Sequence, residues 1–265
     1  HTLSLHDALP ICNRFAVVGL PCHFHGLAHL LKDARPEDEP LRIGLICDRV
    51  LSYNAVDFLV SKSGVARRHA QLIRYKDKLA YGWPSDVSLL TDDGRKVRIP
   101  SGYRHWCKGF FTPPACHLCF DKMNVLADIV LGDAWGVRES REGCSVVIAR
   151  TTRGEEAIRS AIAAGALELD PIQPEDVFAG QQIEKKRQLW TRFTSAWQAE
   201  GLRAPYFTID DRWRAQCNGR PDNTTKKRLN QTLRLLRSHS AHAMLQKARS
   251  AHRRHVAHRR LRSIL

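Results

Sequence analysis

Four cysteines constrain this chain more than any other feature. Cys22 follows Val18-Gly19-Leu20-Pro21, Cys47 follows Gly44-Leu45-Ile46, and Cys116 and Cys119 share the tetrapeptide Cys-His-Leu-Cys. Arg14–Val18 is a short β-branched run closed by Gly-Leu-Pro, which predicts a buried strand and its turn. His23–Lys32 then carries Phe24, Leu27, Leu30 and Leu31 at helical spacing. Leu41–Ile46 repeats the strand pattern, and Tyr53–Lys62 the helical one. Strand–helix–strand–helix with short loops predicts parallel strands in an α/β layer fold, where ligands gather beyond the carboxyl ends of the strands. Cys22 and Cys47 occupy that position.

Downstream, Gln71–Lys76 is a candidate strand, and Val87–Leu90 with Lys96–Ile99 flanks Thr-Asp-Asp-Gly, a hairpin signal. Ser101–Pro114 reads as irregular and aromatic. Ala127–Leu131 predicts a strand that ends in Gly132-Asp133. Ser145–Ala149 predicts a strand, Gly154–Ala164 a helix, and Ala166–Leu169 a short strand. Pro171 and Pro174 mark a boundary, and Ile183–Glu200 is helical. The expected fold class is α/β, a mainly parallel or mixed sheet flanked by helices. It carries an inserted hairpin and loop region and a C-terminal basic helical extension.

Eight cysteines in 265 residues are too sparse for a small disulfide scaffold, and no secretory signal precedes them. A C-x-x-C pair in that setting reads as a metal or redox site. Thiolates suit an iron–sulfur cluster, with four completing its coordination. The same four suit a tetrahedral zinc ion. Spacing leaves both open, along with unligated redox-active thiols. Cys107 is the spare ligand, Cys144 reads as core, and Cys12 and Cys217 have no evident role. His23, His25 and His29 flank Cys22 but read as polar helix-face residues, since four cysteines suffice.

The ordered set of motifs resembles the C-terminal domain of the coenzyme F420 hydrogenase/dehydrogenase beta-subunit family. The residues that carry the resemblance are Val18-Gly19-Leu20-Pro21-Cys22, Gly44-Leu45-Ile46-Cys47, Ile73-Arg74-Tyr75-Lys76 with Gly82-Trp83, and Cys116-x-x-Cys119. Ala127-Asp128-Ile129-x-x-Gly132-Asp133-x-Trp135-Gly136 and Gly143-x-Ser145 leading to Arg150-Thr151 complete the set. It covers roughly residues 14–170. The resemblance implies an iron–sulfur flavoprotein, with Cys22, Cys47, Cys116 and Cys119 ligating a [4Fe-4S] cluster. It implies FAD as the second cofactor and, as hydride acceptor, coenzyme F420 or another reducible organic molecule. Implied partners are an electron-donor or electron-acceptor protein, ferredoxin-like or a hydrogenase/dehydrogenase subunit.

Candidate flavin contacts are Arg74 and Lys76, whose charge suits a phosphate, and Asp133 at the ligand edge of the sheet. Trp83 and Trp135 could stack on the ring system, although buried Trp is more often core. For Arg74 and Lys76 the alternative is a solvated strand face, and for Asp133 a turn-capping role. There is no Gly-rich dinucleotide fingerprint, Walker sequence or nucleophile motif.

Net charge is +15, yet Asn223–Leu265 contains twelve Lys/Arg and no Asp or Glu, which leaves the rest at +3. Leu229, Leu233 and Leu236 stand at helical spacing within that basic stretch. An amphipathic basic helix could dock an acidic partner, nucleic acid or a membrane surface, or pack one face on the body. The expected organisation is a non-native or incomplete N-terminal segment at 1–13, an iron–sulfur/flavin oxidoreductase domain at 14–207 and a basic helical tail at 208–265. The chain begins with His and not Met, which points to a missing upstream portion. No apolar run reaches transmembrane length, which points to the cytoplasm. The competing function is a zinc-stabilised α/β module whose basic tail binds nucleic acid or an acidic partner.

Overall fold

The computed structural model describes residues 15–35, 39–138, 140–205, 207, 222–237 and 250. The opening segment 1–13, Cys12, Cys217 and most of the basic tail lie outside the described residues. Along the chain the strands are β1 (Ala16–Gly19), β2 (Leu41–Leu45), β3 (Ala70–Arg74), β4 (Val87–Thr91), β5 (Lys96–Ile99), β6 (Ile129–Asp133) and β7 (Ser145–Ala149). The helices are α1 (Pro21–Leu30), α2 (Asn54–Ser63), α3 (Lys78–Tyr81), α4 (Ser101–Cys107), α5 (Pro114–His117), α6 (Thr152–Ala163), α7 (Pro174–Gly180), α8 (Ile183–Ala199) and α9 (Asn223–Arg237).

Two compact units share this chain. The first takes the chain up to Asp48, Cys119–Glu139 and Gly143–Lys186; the second takes Arg49–Leu118, Ser140–Glu142 and the chain from Arg187. In the first, the sheet order is β1-β2-β6-β7. β1 pairs parallel with β2 and β2 parallel with β6, while β7 closes the edge antiparallel to β6. This is the expected mixed, mostly parallel α/β sheet. Pro21 starts α1 where its missing N–H costs no hydrogen bond. Phe24 and Leu27, one turn apart, bury that helix against Ala127 and Val130.

Asp128 clasps this unit. Its carboxylate accepts from the Arg42 backbone N–H at 2.8 Å, from the Thr151 hydroxyl at 2.8 Å and from the Arg153 guanidinium at 3.0 Å. Burial alone would raise its pKa; those hydrogen bonds outweigh it and hold the carboxyl below the usual carboxylate range. Thr151 also caps α6 by accepting from Gly154 N–H at 3.1 Å. The Ala-Asp-Ile and Arg-Thr motifs are therefore two halves of one structural joint.

The second unit is built on the antiparallel meander β3-β4-β5. Val87, Leu89 and Ile99 from the meander pack with Phe58, Leu59 and Val60 of α2. Ser101–Cys107 corrects the expected irregular loop: it is helix α4. The sequence spacing hid this because Cys107 and the Trp106 ring supply its buried side, and Trp106 stacks on Phe58 at 5.0 Å. Arg104 is buried with them because its guanidinium donates to the carbonyls of Tyr75, Pro84 and Ser85.

Two further expectations need correction. Ala166–Leu169 is not a strand; Leu167 and Leu169 stay about 40 % exposed, with no partner strand among the described residues. Pro174 opens the short helix α7. Gly132 and Asp133 lie inside β6, paired with Val146 and Ser145, and not beyond its end.

Leu229 and Leu233 of α9 are buried with Leu118, Phe193, Ala196 and Trp197. The apolar face of the start of the basic tail thus packs on its own unit. No helix among the described residues is long and apolar enough to cross a membrane.

Asp77 is the electrostatic keystone of the meander. It is 2 % exposed and accepts from Lys96 Nζ at 2.6 Å, Ser88 Oγ at 2.6 Å and Ala80 N–H at 3.3 Å. The Lys96 and Ser88 hydrogen bonds push its pKa down to about 2. A depressed carboxylate stabilises the fold fully above its unfolded pKa and loses that contribution as pH falls toward the folded value. Acid unfolding of the second unit is therefore expected to steepen below the usual carboxylate pKa of 3.8 and to run down toward about 2. Asp77→Asn should flatten this dependence in circular dichroism titrations, with the part due to Asp93, also lowered to about 2, surviving.

Candidate metal and flavin site

β1 and β2 pair in register with Gly19 opposite Gly44. Cys22 and Cys47 each stand three residues beyond that pair, so parallel geometry carries both thiols past the same edge of the sheet. Cys22 is exposed in the first turn of α1. Cys47 is half-buried, and its N–H donates to the Lys122 carbonyl at 2.9 Å.

Cys119 belongs to the same unit, half-buried, with its Sγ 3.5 Å from the Asp121 carbonyl. Burial pushes this thiol up, while the Lys186 ammonium pulls it back and the Cys22 sulfur adds to the rise. Cys22 and Cys119 thus lie within electrostatic range of each other. Lys186 is only 9 % exposed and donates from Nζ to the Asp48 carbonyl at 2.8 Å, one residue past Cys47. A buried cation beside thiols favours their thiolate form, the form that binds metal.

Cys116 lies in the second unit, at the α5 turn, and its Sγ accepts from Val50 N–H at 3.5 Å. Pro113 precedes α5 and Pro114 sits in its first turn; His117 stacks on Phe193 at 4.6 Å. Trp190 donates from Nε1 to the Leu118 carbonyl at 3.0 Å, fixing the residue before Cys119. The six described cysteines are all free of disulfides. Among the described residues no three His, Cys, Asp or Glu side chains converge as for a single metal ion. A four-iron cluster makes a different demand, because each thiolate bonds its own iron. The donor set of soft thiols fits that group.

The candidate flavin contacts divide between the units. In the first, Asp133 ends β6 half-buried, and its carbonyl accepts from Gln181 Nε2 at 2.7 Å and from Trp135 N–H at 2.9 Å. Trp135 is half-buried in the turn that follows. In the second, Arg74 ends β3 with its side chain 53 % exposed and its guanidinium 4.0 Å from Asp77. Lys76 is exposed nearby in sequence, and Trp83 is half-buried with its backbone N–H on the Arg141 carbonyl at 2.7 Å. Arg74 and Lys76 keep enough exposure to meet a phosphate. Asp77, already paired to Lys96, leaves Arg74 only loosely held.

Sequence reasoning missed four residues around the thiols: Asp121, Lys122, Asn124 and Lys186. Asp121, 2 % exposed, pairs with His25 Nε2 at 3.1 Å and accepts from Val125 N–H.

The family model for the C-terminal part of the beta subunit of coenzyme F420 hydrogenase/dehydrogenase matches residues 12–175. This chain belongs to that family. It is 27 % identical over 181 residues to the coenzyme F420 hydrogenase subunit beta of Methanococcus voltae, covering 66 % of this chain and 58 % of the relative. It is 31 % identical over 127 residues to the subunit of the same name from Methanosarcina barkeri strain Fusaro, covering 44 % and 40 %. The chain thus spans about half the length of the curated relatives it matches. A chain of the F420-reducing [NiFe] hydrogenase complex from Methanosarcina barkeri has a similar fold, with a TM-score of 0.50 and 23 % identity, covering 74 % of this chain and 66 % of that one.

The turn at Trp135 is set by close backbone approach. A Cβ on Gly180, at the end of α7, would lie 1.7 Å from the Trp135 carbonyl oxygen. Gly180→Ala is therefore expected to force apart α7 and the turn. It should destabilise the first unit by about 1–3 kcal/mol, measured by denaturant unfolding followed by tryptophan fluorescence; an unchanged midpoint would contradict this packing.

Proposed function

We propose that this chain carries the electron-transfer core of an iron–sulfur flavoprotein oxidoreductase of the coenzyme F420 hydrogenase/dehydrogenase beta type. Cys22, Cys47, Cys116 and Cys119 hold a [4Fe-4S] cluster, and Arg74, Lys76, Trp83, Asp133 and Trp135 contribute to binding FAD. When bound, these groups join one-electron to two-electron chemistry, with the hydride passing to coenzyme F420 or another reducible organic molecule. The electron donor or acceptor is an iron–sulfur protein or a hydrogenase/dehydrogenase subunit.

One observation carries the reading. The β1–β2 register sends Cys22 and Cys47 past the same sheet edge, within a unit that also holds the half-buried Cys119 beside Lys186. Cys116, three residues before Cys119, completes the four thiolates that such a cluster requires. The protein's own contribution includes the Lys186 ammonium, which opposes the burial that raises the Cys119 thiol. Arg74 and Lys76 offer cationic donors to the flavin phosphates, and the two Trp rings offer flat apolar surfaces to its ring system.

Anaerobic purification tests the reading. The chain is expected to be brown and to contain iron and acid-labile sulfide. Cys22→Ser and Cys116→Ser should each lose nearly all of both, and Cys217→Ser should lose neither. A colourless protein with stoichiometric zinc, or equal iron in all three variants, refutes it. FAD binding is checked separately by flavin fluorescence on titration, which Arg74→Ala should weaken.

A further inference from the structure

The segment after Cys119 does more than lead into β6. Asn124 is fully buried, with a backbone φ of +53°. Its side-chain amide donates from Nδ2 to the Gly19 carbonyl at 2.9 Å and to the Leu45 carbonyl at 3.3 Å. These carbonyls belong to the last residues of β1 and β2, three residues before Cys22 and two before Cys47. The amide orientation is forced, because an oxygen in that place would face two carbonyl oxygens. Its own Oδ1 is buried without a hydrogen-bond partner. A group left half-satisfied in the core is a poor choice for stability alone.

The surroundings are shaped around this amide. A Cβ on Gly44 would lie 2.5 Å from Asn124 Nδ2, so β2 leaves room for it by carrying glycine there. The neighbouring residues reach the same thiol-bearing segments. The Lys122 carbonyl accepts from Cys47 N–H at 2.9 Å, and Asp121 accepts from Val125 N–H at 3.1 Å while pairing with His25 of α1. Asparagine is among the few residues besides glycine that adopt the left-handed backbone readily, so its presence combines that backbone with a side-chain double donor.

We propose that Asn124 is a positioning residue that fixes the spacing of Cys22 and Cys47 by tying the carboxyl ends of β1 and β2 to the loop that carries Cys119. This rests on the reading of those cysteines as cluster ligands. Asn124 touches no ligand; it acts through the two strand ends.

Asn124→Gly keeps the left-handed backbone and removes the amide, so it isolates the side chain's role. Gly44→Ala displaces the amide from the opposite side and should reproduce the effect, and it decides the matter if the first variant does not fold. Val146→Ala, buried in β7 away from these bonds, is the stability control. Both test variants are expected to bind the cluster about 10–100-fold more weakly, as for loss of residues that orient metal ligands. They should also shift its electron paramagnetic resonance signature. Val146→Ala should lower the unfolding midpoint and leave iron content and spectrum as in wild type.

A second readout needs no cluster. After chelation, a short bis-maleimide should link Cys22 to Cys47 in wild type and in Val146→Ala, with the yield falling several-fold in the two test variants. If wild-type protein takes up no iron and sulfide, the proposed function fails, and the cross-linking arm alone decides the positioning. Equal cross-linking and equal iron loading in Asn124→Gly and wild type overturn the proposal. So does an effect no larger than that of Val146→Ala.

Discussion

Parallel strands exchange slanted, evenly spaced hydrogen bonds, and a pairing once made fixes every residue that follows. Here Ala16 lies against Leu41 and Gly19 against Gly44. A slip of one residue would set Cys22 against Asp48 or Ile46 and turn the side chains of the slipped strand to the opposite face. Burial of Phe24, Leu27, Ala127 and Val130 on one side of the sheet opposes that slip. The Asp128 clasp opposes it again, since it binds the Arg42 N–H of β2 and the start of α6 together. Placement of Cys22 and Cys47 is thus a consequence of core packing at a distance from them.

Charge is the second constraint. Cys119 resists ionisation, because burial disfavours its thiolate and the Cys22 sulfur disfavours it further. Lys186 supplies the compensating charge from within the same unit, and its burial keeps that charge from being screened by solvent. Cys107, equally free of disulfides, shows the contrast. Burial drives its thiol up to about 12, and no cation among the described residues opposes the rise. It is therefore held protonated as a core residue and does not compete as a ligand.

Much of this was legible in the sequence because strand-sized β-branched runs separated by helical spacing have few structural solutions. β1, α1, β2, the β4–β5 hairpin, β7, α6 and α8 follow that rule. Elements whose burial depends on unusual side chains were not legible. Helix α4 buries an arginine and a cysteine, which no hydrophobic pattern marks. The expected strand at Ala166–Leu169 has the right composition but no neighbouring edge among the described residues to pair with, and propensity without a partner yields no strand. In the site, the cysteines were visible through their spacing. Lys186 and Asn124 were not, because each acts through a contact that only the fold creates, and a lone Lys or Asn in sequence carries no signal of its depth.

The motifs that mark the family therefore separate by physical role. Gly44 and Asp128 carry no chemistry of electron transfer. Gly44 makes room for an amide, and Asp128 joins β2, β6 and α6. Cys22 and Cys47 stand beyond the carboxyl ends of β1 and β2, whereas the Asp128 joint lies at the start of β2 and β6. A substitution at Asp128 would leave the Arg42 N–H without its acceptor and free the Thr151 hydroxyl that caps α6, so its effects would spread through the first unit. A substitution at Cys22, exposed at the start of its helix, disturbs no packing. Residues of equal prominence in the motif thus differ in whether their loss is felt by the fold or by the chemistry, and the difference follows from burial and hydrogen bonding, which the motif itself does not encode.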